Sequence, residues 1–219
     1  MKILVFGATG MVGQGVLREC LLDPAVELVL VVGRSTTGLK HAKLREILIP
    51  DMTDLGRVEP QLKGFDACLF CIGVSAAGRS EAEYTRMTYN LTLAVAQTLL
   101  RLNPALKFVY VSGVGTDSSE RGRGMWARVK GRTENELLKL PFSAAFMFRP
   151  GMIIPMHGER SRTGWYRHVY AVVKPVFPAL RALFPKAVTT TEQLGRAMLA
   201  VVRQGYPKPV LEPPDINSL

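Results

Sequence analysis

The sequence predicts an α/β protein built on a doubly wound parallel sheet. Two observations carry that expectation. Near-continuous apolar runs, the pattern of strands buried on both faces, alternate with segments of helical period along the first two-thirds of the chain. The first of those runs also passes directly into a glycine-rich turn and a helix, in "KILVFGATGMVGQGVL", as the opening unit of such a sheet does.

Taken in order, 2–7 reads as the first strand. Residues 10–23 read as a helix, with Val12, Val16, Leu17 and Leu21 on one face. Residues 26–33, 44–50 and 65–73 are the next strands, and 81–102 is one long helix. Residues 107–113 form a fifth strand, 125–139 a helix and 142–151 a sixth strand. The whole chain, 1–219, reads as a single domain, with 152–219 as a small helical cap on the substrate side. Within it, 165–184 is apolar but carries Arg167, His168, Lys174 and Arg181, and Pro175 and Pro178 break it. Two short helices in a lid or packing layer are expected there, not a membrane span. Residues 189–205 form a helix opened by threonine caps and closed by Gly205, and Val210 and Leu211 suggest an edge strand in the Pro-rich tail.

A chain of 219 residues with 47% hydrophobic content has enough apolar surface for a sizeable core. The N-terminal apolar run is too short to span a membrane and is followed by no cleavage pattern, which suggests a cytoplasmic protein. Cys68 and Cys71 resemble a CxxC pair, yet three residues apart on a strand they point to opposite faces, so they and Cys20 read as buried small hydrophobes. The net charge of +10 is uneven: residues 1–120 hold 12 basic and 12 acidic side chains, residues 121–219 hold 16 and 6. That excess suits an anionic small molecule or weak contact with an anionic membrane through the basic C-terminal part, and equally a solvated surface. No nucleic-acid recognition motif accompanies it. Arg121, Arg123, Arg128, Lys130 and Arg132, with Arg160 and Arg162, read as the lining of a pocket for an anionic substrate, as a basic docking face or as a solvated loop. No metal-ligand spacing and no GxSxG occur, and His41, His157 and His168 are isolated.

The most informative stretch is the first turn. Gly7, Gly10 and Gly13 are spaced GxxGxxG between strand and helix. A dinucleotide site needs one glycine for the tight turn, one for close approach of a pyrophosphate to backbone N–H groups, and one for helix–strand packing. About 20 residues beyond such a loop an NAD site places a carboxylate for the ribose hydroxyls. Here that place reads Gly33-Arg34-Ser35. Arg34 pairs with a 2′-phosphate where a carboxylate would repel it, so NADP(H) is expected over NAD(H).

The spacing, with "PDMTD", "CIGVS", "YVSGVG" and "FRPG" following in order, resembles the atypical and extended short-chain dehydrogenases/reductases over about residues 1–155. The resemblance implies a Rossmann-like fold. It also implies cofactor contacts from Gly7, Thr9, Gly10, Met11, Val12 and Gly13, from Asp51 at the adenine, from Ile72 and Gly73 beside the cofactor, and from Pro150 and Gly151 at the nicotinamide. Asn90 falls where extended members carry a helix asparagine. The family works with a Ser, a Tyr and a Lys, in which Lys binds the nicotinamide ribose and Tyr passes a proton. Ser112 and Lys130 fall at the matching places, Ser112 as the substrate contact. Four residues before Lys130, where the family has Tyr, stands Trp126. An indole N–H donates a hydrogen bond but does not titrate, so it is neither acid nor base.

Three readings stay open. Another group or water supplies the proton, with Thr116, Asp117, Tyr166, His157 and His168 as candidates. Or the acceptor, such as a flavin or quinone, needs little protein acid. Or the chain is a non-catalytic NADP(H)-binding sensor or partner-binding module. The resemblance also allows a homodimer through the two long helices.

Overall fold

The computed structural model describes residues 1–159 and 187–219. The tract expected to form a lid, with Arg160, Arg162, Tyr166 and His168, lies outside the described residues. Strands β1 (Lys2–Phe6), β2 (Leu28–Gly33), β3 (Leu44–Leu48), β4 (Ala67–Phe70), β5 (Lys107–Val111), β6 (Ala144–Phe148) and, late in the chain, β9 (Val210–Leu211) form one parallel sheet in the order β3-β2-β1-β4-β5-β6-β9. The chain builds outward from β1 to β3, then returns to the other side of β1 to lay down β4, β5 and β6. This is the doubly wound, Rossmann-like arrangement, with its switch point between β1 and β4.

Alternation along β1 distributes the core. Ile3 and Val5 face α1 (Met11–Leu22) and α5 (Thr191–Gln204), while Leu4 and Phe6 face α3 (Leu91–Leu102) and α4 (Met125–Lys139). On the second face Phe6, Phe70 and Phe108 stack in series at 5.6 and 5.9 Å between ring centroids. Fully burying side chains of this size stabilises by about 1.5–3 kcal/mol each. Cys68 lies in that second cluster and Cys71 packs against the first, so the CxxC thiols do point to opposite faces.

The long helical run begins at Ser80. Its hydroxyl accepts from Glu83 N–H while the Glu83 carboxylate accepts from Ser80 N–H, a capping box that starts α2 (Glu81–Thr85). It is not uniform, as expected from its apolar period, because Arg86–Asn90 form a π-helical turn before α3. The fourth strand stops at Phe70, short of the expected 73, and the backbone beyond it turns toward the switch point.

The helix grouped above with the cap belongs instead to the sheet's first layer. Thr190 caps α5 by accepting from Gln193 N–H at 3.0 Å, and Gly205 ends it at φ 73°. α5 packs on α1 through two glycines. A Cβ on Gly15 would lie 2.5 Å from Thr191 Cβ, and one on Gly195 would lie 2.8 Å from Glu19 Cγ. The tail's Val210 and Leu211 extend the sheet beside Met147 and Phe148, and α6 (Pro213–Asn217) follows. A pair not expected from sequence, β7 (Met152–Ile154) and β8 (Val188–Thr190), closes the described C-terminal part.

Candidate active site

At the first βα corner the chain turns through Gly7 at φ +82°, where a Cβ would meet the Cys71 carbonyl group at 2.7 Å. A Cβ on Gly13 would overlap the Gly7 carbonyl, so α1 can approach β1 this closely only with glycine there. Gly10 differs. It is the N-cap of α1, and its nearest neighbour would be Gly7 O at 3.4 Å, an ordinary contact. The fold requires Gly7 and Gly13 but not Gly10. No side chain caps α1, so the N–H groups of its first turn, from Met11, Val12 and Gly13, are left to an outside acceptor. Thr9 stiffens the corner by accepting from Gln14 Nε2 at 3.0 Å.

Where β1 and β4 part, a crevice of about 120 Å³ opens, floored by Gly7–Gly10 and walled by Gly33–Ser35, Met52 and Cys71–Val74. It continues into a pocket of about 580 Å³ between Pro50–Thr53, Ile72, Val74 and the helical stripe Arg86, Met87, Asn90, Leu91 and Ala94. Arg34 lines both. No Cβ contact within 4 Å awaits at Gly73, so the wall is open beside it. The Asp51 carboxylate accepts from the Thr53 hydroxyl at 2.7 Å and its N–H at 2.8 Å, and these bonds hold it below the usual carboxylate range. Burial pushes the Cys71 thiol up to about 12, which makes it an unreactive wall residue.

The second half of the expected site lies where β5 meets α4. Gly131 lets the helix press on the preceding loop, since a Cβ there would overlap the Asp117 carbonyl. Lys130, half-buried, donates to the Ser112 carbonyl oxygen. Burial lowers its pKa to about 8, with the Glu134 carboxylate one turn on opposing the drop. Trp126 stands one turn before Lys130, 39% exposed, with its ring edge 3.3 Å from where a Gly115 Cβ would be.

Ser112 departs from the expected substrate contact. It is 6% exposed and its hydroxyl donates to Glu134 Oε1 at 2.5 Å, with Phe148 O also 3.1 Å away. Glu134 is itself buried and paired with Arg149, which also reaches Glu212 at 3.0 Å and Ser118 at 2.5 Å. The hydroxyl is committed to this network. Pro150 and Gly151, expected at the nicotinamide, are also engaged elsewhere. The Pro150 carbonyl accepts from Val114 N–H at 2.9 Å, and Gly151 packs against the Ala187 carbonyl. Thus Gly7, Thr9, Gly10, Arg34, Ile72 and Gly73 are gathered around one crevice and Asp51 joins its extension, whereas Ser112, Pro150 and Gly151 are held in internal contacts.

The alternative proton donors among the described residues, Thr116, Asp117 and His157, are engaged as well. Thr116 donates to Gly113 O at 2.7 Å, and Asp117 accepts from the Ser119 hydroxyl at 2.6 Å and Gly122 N–H at 2.6 Å as a loop staple. His157 meets Glu192 at 3.0 Å. Nor do the basic residues of α4 form one pocket: Arg128 reaches Glu81 at 2.6 Å, and Arg132 lies 4.3 Å over the Tyr89 ring. Sequence reasoning missed Glu134, Arg149, Arg86 and Met87. For Glu134 a signal existed, since it follows Lys130 by one helical turn.

Comparison with known proteins bears on the same residues. The family model for "NAD dependent epimerase/dehydratase family" matches residues 3–121. "Protein FMP52-2, mitochondrial" of Scheffersomyces stipitis is 24% identical over 216 residues, covering 95% of this chain and 90% of that protein. "Protein HTATIP2" of Rattus norvegicus is 24% identical over 165 residues, covering 74% and 66%. Among solved structures, the Bordetella bronchiseptica enzyme WbmF in complex with NAD+ superposes with a TM-score of 0.70 at 16% identity, covering 99% of this chain and 76% of that one. The short chain dehydrogenase/reductase YIR035C of Saccharomyces cerevisiae gives 0.67 at 14% identity, covering 97% and 95%. These likenesses are of fold. The relatives' names also overturn the cytoplasmic expectation, because several of them are named mitochondrial. The missing cleavage pattern at the N-terminus carried no information about compartment.

Proposed function

Because the chain belongs to the NAD dependent epimerase/dehydratase family, we propose that it binds NADP(H) in the β1–β4 crevice and acts as an oxidoreductase or epimerase-like enzyme on a small carbonyl, quinone or anionic substrate. The observation that carries this reading is Gly10. The protein's own packing has no use for a glycine there, and the space it leaves lies over the uncapped first turn of α1. A diphosphate is the group that uses both.

The residues present fit such a cofactor. Gly7, Thr9, Gly10 and the amides of Met11, Val12 and Gly13 would hold the diphosphate. Arg34 would take the 2′-phosphate, since the residue after β2 is a cation and not a carboxylate. Asp51, Ile72 and Gly73 would border the adenosine half, and Lys130 the nicotinamide ribose. When bound, the nicotinamide supplies or accepts a hydride. Burial lowers the Lys130 pKa to about 8, and its ammonium lies beside the carbonyl end of β5, where it would be the group able to pass a proton. Trp126 holds none that titrates.

Two observations favour a second reading, an NADP(H)-binding sensor without turnover. Trp126 replaces the acid, and the Ser112 hydroxyl is tied to Glu134. Titration with NADPH and NADH, followed by Trp fluorescence, tests the cofactor. NADPH is expected to bind more tightly, and Arg34→Glu to abolish that preference. Equal affinities, or an Arg34→Glu variant that keeps the preference, would reject the phosphate assignment. Oxidation of bound NADPH by carbonyls, quinones or flavins then separates enzyme from sensor.

A further inference from the structure

The 580 Å³ pocket has a second cation, on the wall opposite the nucleotide-binding corner. Arg86 opens the π-helical turn and shares a stripe with Met87, Asn90, Leu91 and Ala94, all of which line the pocket. Arg34 lines it from the end of β2. Both side chains are exposed.

Arg86 is set apart by what its neighbours do. Arg79 bonds the Ser75 carbonyl at 3.0 Å, Arg101 pairs with Glu59, Arg128 pairs with Glu81 at 2.6 Å, and Arg132 covers Tyr89. The carboxylate nearest to Arg86 along its own helix, Glu83, is bonded in the capping box with Ser80 and meets Arg86 only as a through-space charge, not as an ion pair. Among the described residues neither Arg86 nor Arg34 has a salt-bridge partner. The acid on the same rim, Asp51, is occupied by Thr53. The pocket therefore presents two guanidinium groups with no ion-pair partner among the described residues around a wall of Met52, Ile72, Val74, Met87, Leu91 and Ala94. An apolar slot between two cations suits a flat heteroaromatic ring carrying phosphate.

We infer that Arg86 is a second phosphate clamp for the dinucleotide, reaching from the π-helical turn across the adenine pocket toward the phosphate groups that Arg34 meets from the other side. The inference rests on the cofactor reading above and assigns a specificity-determining role to a residue outside the glycine corner. The π-helical turn widens the helix at the residues that face the pocket, a device often found at functional sites.

The test is calorimetric titration of the full chain with NADPH, NADH, 2′,5′-ADP and 5′-ADP, for wild type, Arg86→Ala, Arg34→Ala and Arg79→Ala. Arg86→Ala is expected to weaken NADPH by about tenfold, and Arg79→Ala, whose guanidinium is held at Ser75, by less than twofold. A larger loss for 2′,5′-ADP than for 5′-ADP assigns the clamp to the 2′-phosphate, equal losses assign it to the 5′-phosphate that the two share, and a larger loss for 5′-ADP assigns it to the diphosphate. Arg86→Ala binding like wild type while Arg34→Ala binds weakly overturns the inference and leaves the cofactor reading standing. Arg79→Ala losing as much as Arg86→Ala also overturns it, because a general field effect then accounts for the loss. Wild type that binds none of the four ligands removes both. Arg86 and Arg34 are exposed and have no ion-pair partner among the described residues, so their alanine variants should unfold at the wild-type temperature, and circular dichroism checks this for every variant.

Discussion

Two alanine substitutions in one turn should have opposite consequences. Gly10 and Gly13 are three residues apart and belong to the same motif, yet the structure asks different things of them. Gly10 sits at φ −83° and ψ 162°, an extended conformation open to any residue, and a Cβ there meets nothing nearer than 3.4 Å. Replacing an N-cap glycine by alanine costs about 0.5–1 kcal/mol. The loss of unfolded-state freedom returns about 0.4–1 kcal/mol. Gly10→Ala should therefore leave stability unchanged within about 0.5 kcal/mol. The new methyl, however, projects into the crevice over the α1 amides, and NADPH affinity should fall by at least about 100-fold, the scale of a phosphate losing two or more charge-assisted bonds. Gly13→Ala drives a Cβ into the Gly7 carbonyl, backbone against backbone, with no side chain free to move aside. Overpacking of this kind costs about 1–3 kcal/mol or more, enough to lower the melting temperature by several degrees. Thermal unfolding and NADPH titration on the same samples measure both effects. A Gly10→Ala protein that binds NADPH as wild type does would refute the reasoning, because the space at residue 10 would then serve no ligand. A Gly10→Ala protein as unstable as Gly13→Ala would show that the corner's packing is not as described.

Three further outcomes follow from the β5–α4 corner. Glu134→Ala should destabilise the protein by about 3–5 kcal/mol, because it strips the buried partner from Arg149; denaturant melts of Glu134→Ala, Arg149→Met and the double variant should show strong non-additivity, and additive losses would contradict the network. The lysine at 130 is pulled from 10.5 to about 8 by burial, so between those values the unfolded chain binds more protons than the folded one and stability should rise with pH across that window. Lys130→Met should flatten that rise, and an unchanged slope in the variant would assign it elsewhere. Trp126→Tyr places a titratable phenol one turn before Lys130, and if a missing acid limits carbonyl reduction, turnover of NADPH with a carbonyl acceptor should increase by about 100-fold or more; no gain would mean that the acid is not what limits it.

The sheet was legible in the sequence because its signals are local. A parallel strand buried on both faces needs an unbroken apolar run, and the chain writes one at each of β1, β2, β4, β5 and β6. Gly7 and Gly13 were legible for the same reason, since a sharp βα turn confines their space within a few residues. What the sequence hid depends on contacts between distant segments. The Ser112 hydroxyl is oriented by Glu134 and Phe148, and Glu134 is held in turn by Arg149, 15 residues on. No periodicity reports such a network, so nothing in the sequence shows that the Ser112 hydroxyl is committed. The C-terminal helix was misplaced by the same kind of gap. Its amphipathic pattern shows that it packs on something, but only the paired glycines, Gly15 and Gly195, reveal that the partner is α1. Of the cofactor contacts expected, Gly7, Thr9, Gly10, Arg34, Ile72 and Gly73 line one crevice and Asp51 its extension, while Pro150 and Gly151 are held in internal contacts. The catalytic half depends on side chains recruited from β5, α4 and β6, and there both the tyrosine and the serine of the resembled family are replaced or diverted. Around the β1–β4 crevice Gly7, Gly10 and Arg34 lie together, while at the β5–α4 corner Trp126 stands in the tyrosine's place and the buried Glu134–Arg149 pair holds the Ser112 hydroxyl, so the test of substrate chemistry falls on Lys130.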